Sequence, residues 1–281
     1  MKSIFLVNVI ALVIFFFSGV NQAAESINFG YVGTAGPNFW HLLSNDSSIC
    51  ETGKNQSPID VTPDDLKTLA NPPNPSFMNA KNVKATNNGN TVEIFSGKEG
   101  VPLPAEITVE EEKYTLQQFH FHTPSEHRID GKHFDAEQHL VFKSESGKIS
   151  VVAVLYNINE KESKFMVPII ENLPKNVDDK KEIKKVELNR LLCDVKNITR
   201  AYSYSGSLTT PPCTEGVTWY VNQDPLPFSV KQFNALRDII GFNSRFTQVR
   251  DGEVIPPPYE NPEVPTLKKR KTLYNRSILR K

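Results

Sequence analysis

The stretch "QQFHFHTPSEH", Gln117–His127, holds three of the six histidines of the chain within eight residues. Two of them, His120 and His122, alternate with Phe119 and Phe121. On an extended strand, side chains point to opposite faces with period two. His120 and His122 then share one face with Gln118 and Leu116, while Phe119, Phe121 and Gln117 share the other. The phenylalanines anchor the strand in a core, and the imidazoles converge on the opposite space. A second segment, "DAEQHLVF" (Asp135–Phe142), puts Glu137, His139 and Val141 on one face. Asp130-Gly131 lies between the two segments and turns the chain back. An antiparallel pairing brings His139 beside His120 and His122. Three neutral imidazoles with an open fourth position describe a catalytic zinc site rather than a structural one. Metal-bound histidines pass their other N–H to an amide, carboxylate or carbonyl. Gln118 and Glu137 stand two residues before His120 and His139 and supply such partners.

The elements that position these groups are short and sheet-like. β-Branched or aromatic runs at Thr91–Phe95, Glu106–Val109, Tyr114–His122, Ala136–Lys143, Ser150–Tyr156 and Val217–Val221 alternate with turn-rich pieces. That spacing predicts one sheet-dominated domain. The clearest helix is Ser229–Ile240: Ser229 and Gln232 form a capping box, Val230, Phe233, Leu236 and Ile240 fall on one face, and Gly241 stops it. Lys180–Leu192 is a second, weaker helical pattern.

Residues 281 in number, 38% hydrophobic and 23% charged, support a sizeable core and exclude global disorder. Formal net charge is zero, which argues against a nucleic-acid partner. The charge is unevenly placed. Thr266–Lys281 carries seven Lys/Arg and no acid, so residues 25–265 have a net charge of −8. Lys2 followed by the apolar run Ile4–Phe17 reads as a secretory signal peptide, residues 1–24, cleaved near Ala23 or Ala24, with an uncleaved anchor as the alternative. No later segment is apolar for long enough to span a bilayer. In an exported chain Cys50 can pair with Cys213 or with Cys193, leaving one cysteine free, and spacing does not choose which. Residues 266–281 form a basic tail, solvated or in contact with an anionic surface.

Several longer motifs occur in order: "GPNFWHLL" near Pro37, "GKNQSPIDV" (Gly53–Val61), "NNGN" (Asn87–Asn90), "QFHFHTPSEH" (Gln118–His127), "AEQHLVF" (Ala136–Phe142), "SLTTPPCTEGVTWYV" (Ser207–Val221) and "NSRFTQ" near Arg245. Together they resemble the α-class carbonic anhydrases, and the HFHTPSEH form looks like the bacterial and some fungal or plant branches. The resemblance covers most of residues 25–265. It implies a β-dominated α+β domain: a large central, twisted, mostly antiparallel sheet with a few short peripheral helices. It implies reversible hydration of CO2 to bicarbonate by a secreted or periplasmic zinc lyase.

Residue by residue, the resemblance assigns His120, His122 and His139 as Zn2+ ligands. Gln118, Glu137 and the backbone carbonyl of Asn243 orient them. Thr209 matches the gatekeeping threonine and Glu126 its carboxylate partner. Thr210 lies beside the substrate, and Val141, Val151, Leu208 and Trp219 match the apolar wall where CO2 rests. Cys50 and Cys213 match the disulfide of exported members, leaving Cys193 free. His127 matches a structural histidine, and Tyr31 a tyrosine near the water chain. One position departs. Fast members carry a proton-shuttling histidine after "NNG", and here Asn90 stands there, with no titratable group. The implied enzyme is therefore limited by proton transfer. A metal-free binding protein that has lost ligand histidines, and a zinc hydrolase of esters, are the other classes this constellation allows; the three retained histidines and the absence of a polar specificity pocket disfavour them.

Overall fold

The computed structural model describes residues 28–62, 73–195 and 201–249. The signal-peptide segment and the basic tail lie outside the described residues. Thirteen strands run in chain order: β1 (Asp60–Val61), β2 (Asn74–Phe77), β3 (Ala80–Asn87), β4 (Val92–Ser96), β5 (Ala105–Val109), β6 (Glu112–His122), β7 (Arg128–Ile129), β8 (Ala136–Ser144), β9 (Ile149–Asn159), β10 (Lys180–Val186), β11 (Ala201–Ser207), β12 (Glu215–Asn222) and β13 (Leu226–Ser229). Helices are few and short: α1 (Ile49–Thr52), α2 (Val167–Ile170), α3 (Leu188–Asp194) and α4 (Val230–Ile240).

Eleven strands form one sheet whose main path is β10-β3-β4-β6-β8-β9-β12-β11, with β5 and β2 continuing from β6 and β13 pairing with β9. Every pairing in it is antiparallel except β9 with β12 and with β13. The sheet is thus mixed but mostly antiparallel. Strand β9 lies at its centre and is buried on both faces, so it reads as the continuous run "SVVAVLY" instead of an alternation. Val152, Val154 and Tyr156 enter the main core, which α2, α3 and α4 cover with Ile169, Leu191 and Leu236. Val151, Ala153 and Leu155 enter a second cluster with Trp219 and Val221 on the other face.

Three readings of the sequence are corrected. Lys180–Leu192 is not one helix. Lys180–Val186 is an edge strand paired antiparallel with β3, and only Leu188–Asp194 is helical. Within the strand only Ile183 and Val186 are buried, and its other side chains are Lys or Glu, as edge strands favour. Second, Leu116 does not share a face with Gln118. A β-bulge between Leu116 and Gln118 breaks the alternation. Leu116 packs in the main core beside Phe119 and Phe121, while Gln117, the extra residue, bonds back to Thr115 through its amide. Third, α4 leaves Val230 53% exposed, whereas Leu236 and Ile240 are buried with Gln232, and Phe233 packs partly buried against the main core. Its capping box is present as read: Ser229 Oγ accepts from Gln232 N–H, and the Gln232 side chain accepts from Ser229 N–H.

Candidate active site

Strands β6 and β8 place the histidines. Their register sets His120 directly opposite His139, and His122 opposite Glu137. Asp130 (φ 52°) and Gly131 (φ 74°) adopt the left-handed conformations that reverse the chain between them. The three rings gather with centroids 4.5–5.2 Å apart. One nitrogen from each lies within 4.8 Å of the others.

Each ring is oriented through its outer nitrogen. His120 Nδ1 lies 2.8 Å from Gln118 Oε1, His122 Nδ1 2.8 Å from the Asn243 carbonyl, and His139 Nε2 2.7 Å from Glu137 Oε1. A carbonyl, an amide oxygen and a carboxylate all accept, so these nitrogens carry the protons. The inward atoms, Nε2 of His120 and His122 and Nδ1 of His139, are left as lone pairs. Burial holds the His120 pKa well below its usual value, and repulsion from His122 and His139 adds to this. Burial likewise lowers His139 against the pull of Glu137. Both shifts favour the neutral ring that a metal ligand requires.

Below them lies a buried polar layer. Glu137 is fully buried and accepts four hydrogen bonds: from His139 and His127 at Oε1, and from the Glu126 and His127 N–H groups at Oε2. Burial alone pushes its pKa up, but the attraction and hydrogen bonds of His127 and His139 outweigh that and hold it well below the usual carboxylate range. His127 also meets the Tyr204 hydroxyl at 2.7 Å. Glu126, equally buried, accepts the Arg245 N–H at Oε1. Its Oε2 has no partner and lies 3.6 Å from His122 Nε2, which is also buried without one. An unpartnered buried nitrogen is costly. A cation held by the three inward lone pairs would satisfy it, so the donor set fits an N-ligated ion such as Zn2+. A second cluster, His127, Glu137 and His139, also brings ligand atoms together, but hydrogen bonds already join all three.

A cavity of about 270 Å³ opens above the imidazoles. Val141, Val151, Leu208 and Trp219 line it with Thr209, Thr210, Gln118 and Asn90. Glu126 does not line it; it supports the floor. The loop after β11 carries both threonines, and the disulfide between Cys50 and Cys213 ties that loop to α1. Cys193 is free and exposed. Gly206 is required here, since a Cβ would stand 2.2 Å from Ser57 Oγ, which accepts the Ser207 N–H. Asn90 is tied down: its amide donates to the Phe29 carbonyl, and its own carbonyl accepts from the Asn243 amide. His41 and His133 stay outside the cavity, against Glu51 and Ser125 respectively. The sequence reading missed Glu93, Asn88, Phe29 and Thr91, which also line the cavity. Glu93 was legible as the polar residue alternating with Val92 and Ile94.

A family model of the eukaryotic-type carbonic anhydrases matches residues 35–252. The carbonic anhydrase of Pectobacterium atrosepticum is 34% identical over 236 residues, 83% of this chain and 92% of that relative. The α-carbonic anhydrase of Thermovibrio ammonificans, solved with the inhibitor sulfanilamide, is similar with TM-score 0.73 and 33% identity, over 81% of this chain and 97% of that one. The fungal α-carbonic anhydrase of Aspergillus oryzae is similar with TM-score 0.72 and 31% identity, over 80% and 95%. The chain belongs to the α-class carbonic anhydrases. It is a lyase, a carbonate dehydratase, whose substrate pair is CO2 and bicarbonate. Its disulfide is compatible with a periplasmic or extracellular location. No helix among the described residues is long and apolar enough to cross a membrane.

Proposed function

We propose that this chain hydrates CO2 at a zinc ion held by His120, His122 and His139, and that proton export limits its maximal rate. The observation that carries this reading is the buried, unpartnered His122 Nε2, set among imidazoles whose outer nitrogens are all tied to acceptors. Zinc bound by three neutral nitrogens lowers the pKa of water to about 7, which supplies hydroxide at neutral pH.

The remaining work belongs to side chains. Gln118, Glu137 and the Asn243 carbonyl hold the rings in one tautomer and one orientation. Thr209 accepts a hydrogen bond from the nucleophile only if its own proton is directed elsewhere, and Glu126, with Oε2 unpartnered, is the acceptor assigned to it. The Thr209 backbone N–H is the donor to the developing oxyanion. Val141, Val151, Leu208 and Trp219 hold the apolar substrate beside Thr210 and release charged bicarbonate. Asn90 has no titratable group and cannot export the proton. Export of the mature domain, residues 25–265, rests on the apolar leader Ile4–Phe17 and on the disulfide, which oxidising compartments preserve.

Stopped-flow CO2 hydration across a series of imidazole concentrations, with and without a zinc chelator, tests the reading. Chelator-sensitive activity whose maximal rate rises with buffer is the expected result. A rate independent of buffer overturns the proton-export limit, and activity that survives complete zinc removal overturns the metal.

A further inference from the structure

A second groove, of about 510 Å³, opens beside the catalytic cavity on the same face of the sheet. Val83 and Ala85 of β3 and Ile94 of β4 enter the main core, so alternation turns Lys84 and Phe95 to the opposite face. Phe95 follows Glu93 by two residues and shares its face, and Glu93 lines the catalytic cavity. Lys180 heads the edge strand β10 opposite Thr86, two residues from Lys84. The bulge in β6 divides the two sites: Gln117 lines the groove and Gln118 the cavity. The remaining wall is the turn after β4, which the Val101 N–H closes by donating to the Lys98 carbonyl. Gly97 lets this turn lie against β3, because a Cβ there would stand 2.0 Å from the Asn82 carbonyl oxygen. Lys98 thereby reaches the same groove as Lys84 and Lys180.

None of these three lysines forms an ion pair among the described residues, whereas Lys113, Lys148 and Lys185 pair with Glu106, Glu112 and Glu187. Glu182 stands opposite Lys84 in the register without pairing to it. Glu99 is the one acid in the lining, so three lysines less one glutamate leave a local charge of +2. The surrounding domain, residues 25–265, carries −8. Like charges gathered without a counter-charge repel one another, and an anion between them offsets that cost. Phe95, half-buried, and Val101, exposed, give the groove an apolar side.

We propose that this groove binds a small organic anion that carries two negative charges, as phosphate or carboxylates, beside an apolar group. The charge answers the +2 of the lining, and the apolar group answers Phe95 and Val101. Small-molecule sites span about 300–1,000 Å³ and combine an apolar wall with a few placed polar groups, a description the groove meets. The site is independent of the reaction proposed above, since no residue lines both the groove and the catalytic cavity.

Phenyl phosphate and inorganic phosphate are the probes, titrated into the full chain and followed by backbone amide NMR. Phenyl phosphate should shift the Gly97 and Gly100 amides and bind severalfold tighter than inorganic phosphate. Lys84→Gln and Lys180→Gln should each weaken it about two- to fivefold, the scale of exposed ion pairs, and added salt should weaken it further. Phe95→Ala should remove the preference for phenyl phosphate while inorganic phosphate still binds. If that variant does not fold, the two probes on the wild type decide the same point: equal affinities overturn the apolar part of the ligand. Gly97 and Gly100 amides unmoved by either probe overturn the site. Binding that keeps its full strength in both lysine variants also overturns it. So do shifts confined to residues 266–281, whose seven Lys/Arg attract anions by themselves. Vesicles of phosphatidylglycerol in phosphatidylcholine that displace phenyl phosphate from the groove assign it to a lipid headgroup and overturn the small-molecule ligand.

Discussion

Strand β6 has two faces that obey different rules. Phe119 and Phe121 enter the main core with no exposure, and His120 and His122, one residue away in each case, line the cavity. The phenylalanine face is specified by volume and apolar area. Each ring contributes about 1.5–3 kcal/mol by leaving water, and any side chain of similar size and shape nearly suffices. The histidine face is specified by partners. Gln118, Asn243 and Glu137 each present an acceptor at 2.7–2.8 Å, and loss of one frees a ring to turn. One strand thus separates stability from chemistry by alternation alone.

Substitutions on the two faces should separate in the same way. The largest effect is expected from His120→Ala, chosen because His120 is the least buried of the three. It should abolish CO2 hydration and equimolar zinc binding, read by stopped flow and by atomic emission. The urea unfolding of the metal-free protein should change by only about 1 kcal/mol. Lost stability of several kcal/mol would erase the distinction between the faces. Phe121→Ala should do the reverse, costing about 3–5 kcal/mol in urea unfolding while the folded fraction still binds equimolar zinc.

Asn243→Ala probes the joint between the two faces and should have the smallest effect. The Asn243 side chain donates to the carbonyls of Phe121 and Asn90 and accepts the Thr123 N–H, while its own carbonyl holds His122. Removing the side chain keeps the carbonyl but loosens its position. Zinc affinity should fall about 10–100-fold in a competition titration, as for other groups that orient ligands. Unchanged affinity would mean that the backbone alone sets the carbonyl.

The site was more legible than the sheet that holds it. His120, His122 and His139 stand out because three imidazoles at strand spacing have no packing purpose. Gln118 and Glu137 emerged from the same alternation. Asn243 and Glu126 came only through the resemblance, since one acts by a backbone carbonyl and the other from beneath the cavity. The bulge at Gln117 was invisible, because an inserted residue leaves the apolar pattern on either side intact and shifts only the register between the two halves of the strand. Lys180–Val186 misled for a related reason. Its lysines suit a solvated helix as well as an edge strand, and only pairing with β3 decides between them.

What the sequence alone determined was local: which residues alternate, which turns reverse, where α4 is capped, and which side chains can ligate. Those depend on period and residue chemistry within a few positions. Tertiary structure decided the rest. It set His120 opposite His139, joined Cys50 to Cys213 across 163 residues, and carried Asn243 to His122 across 121. It also turned Glu93 and Asn90 toward one cavity. Such pairings depend on strand order and register, which are set by the summed burial of the whole sheet and not by any one segment.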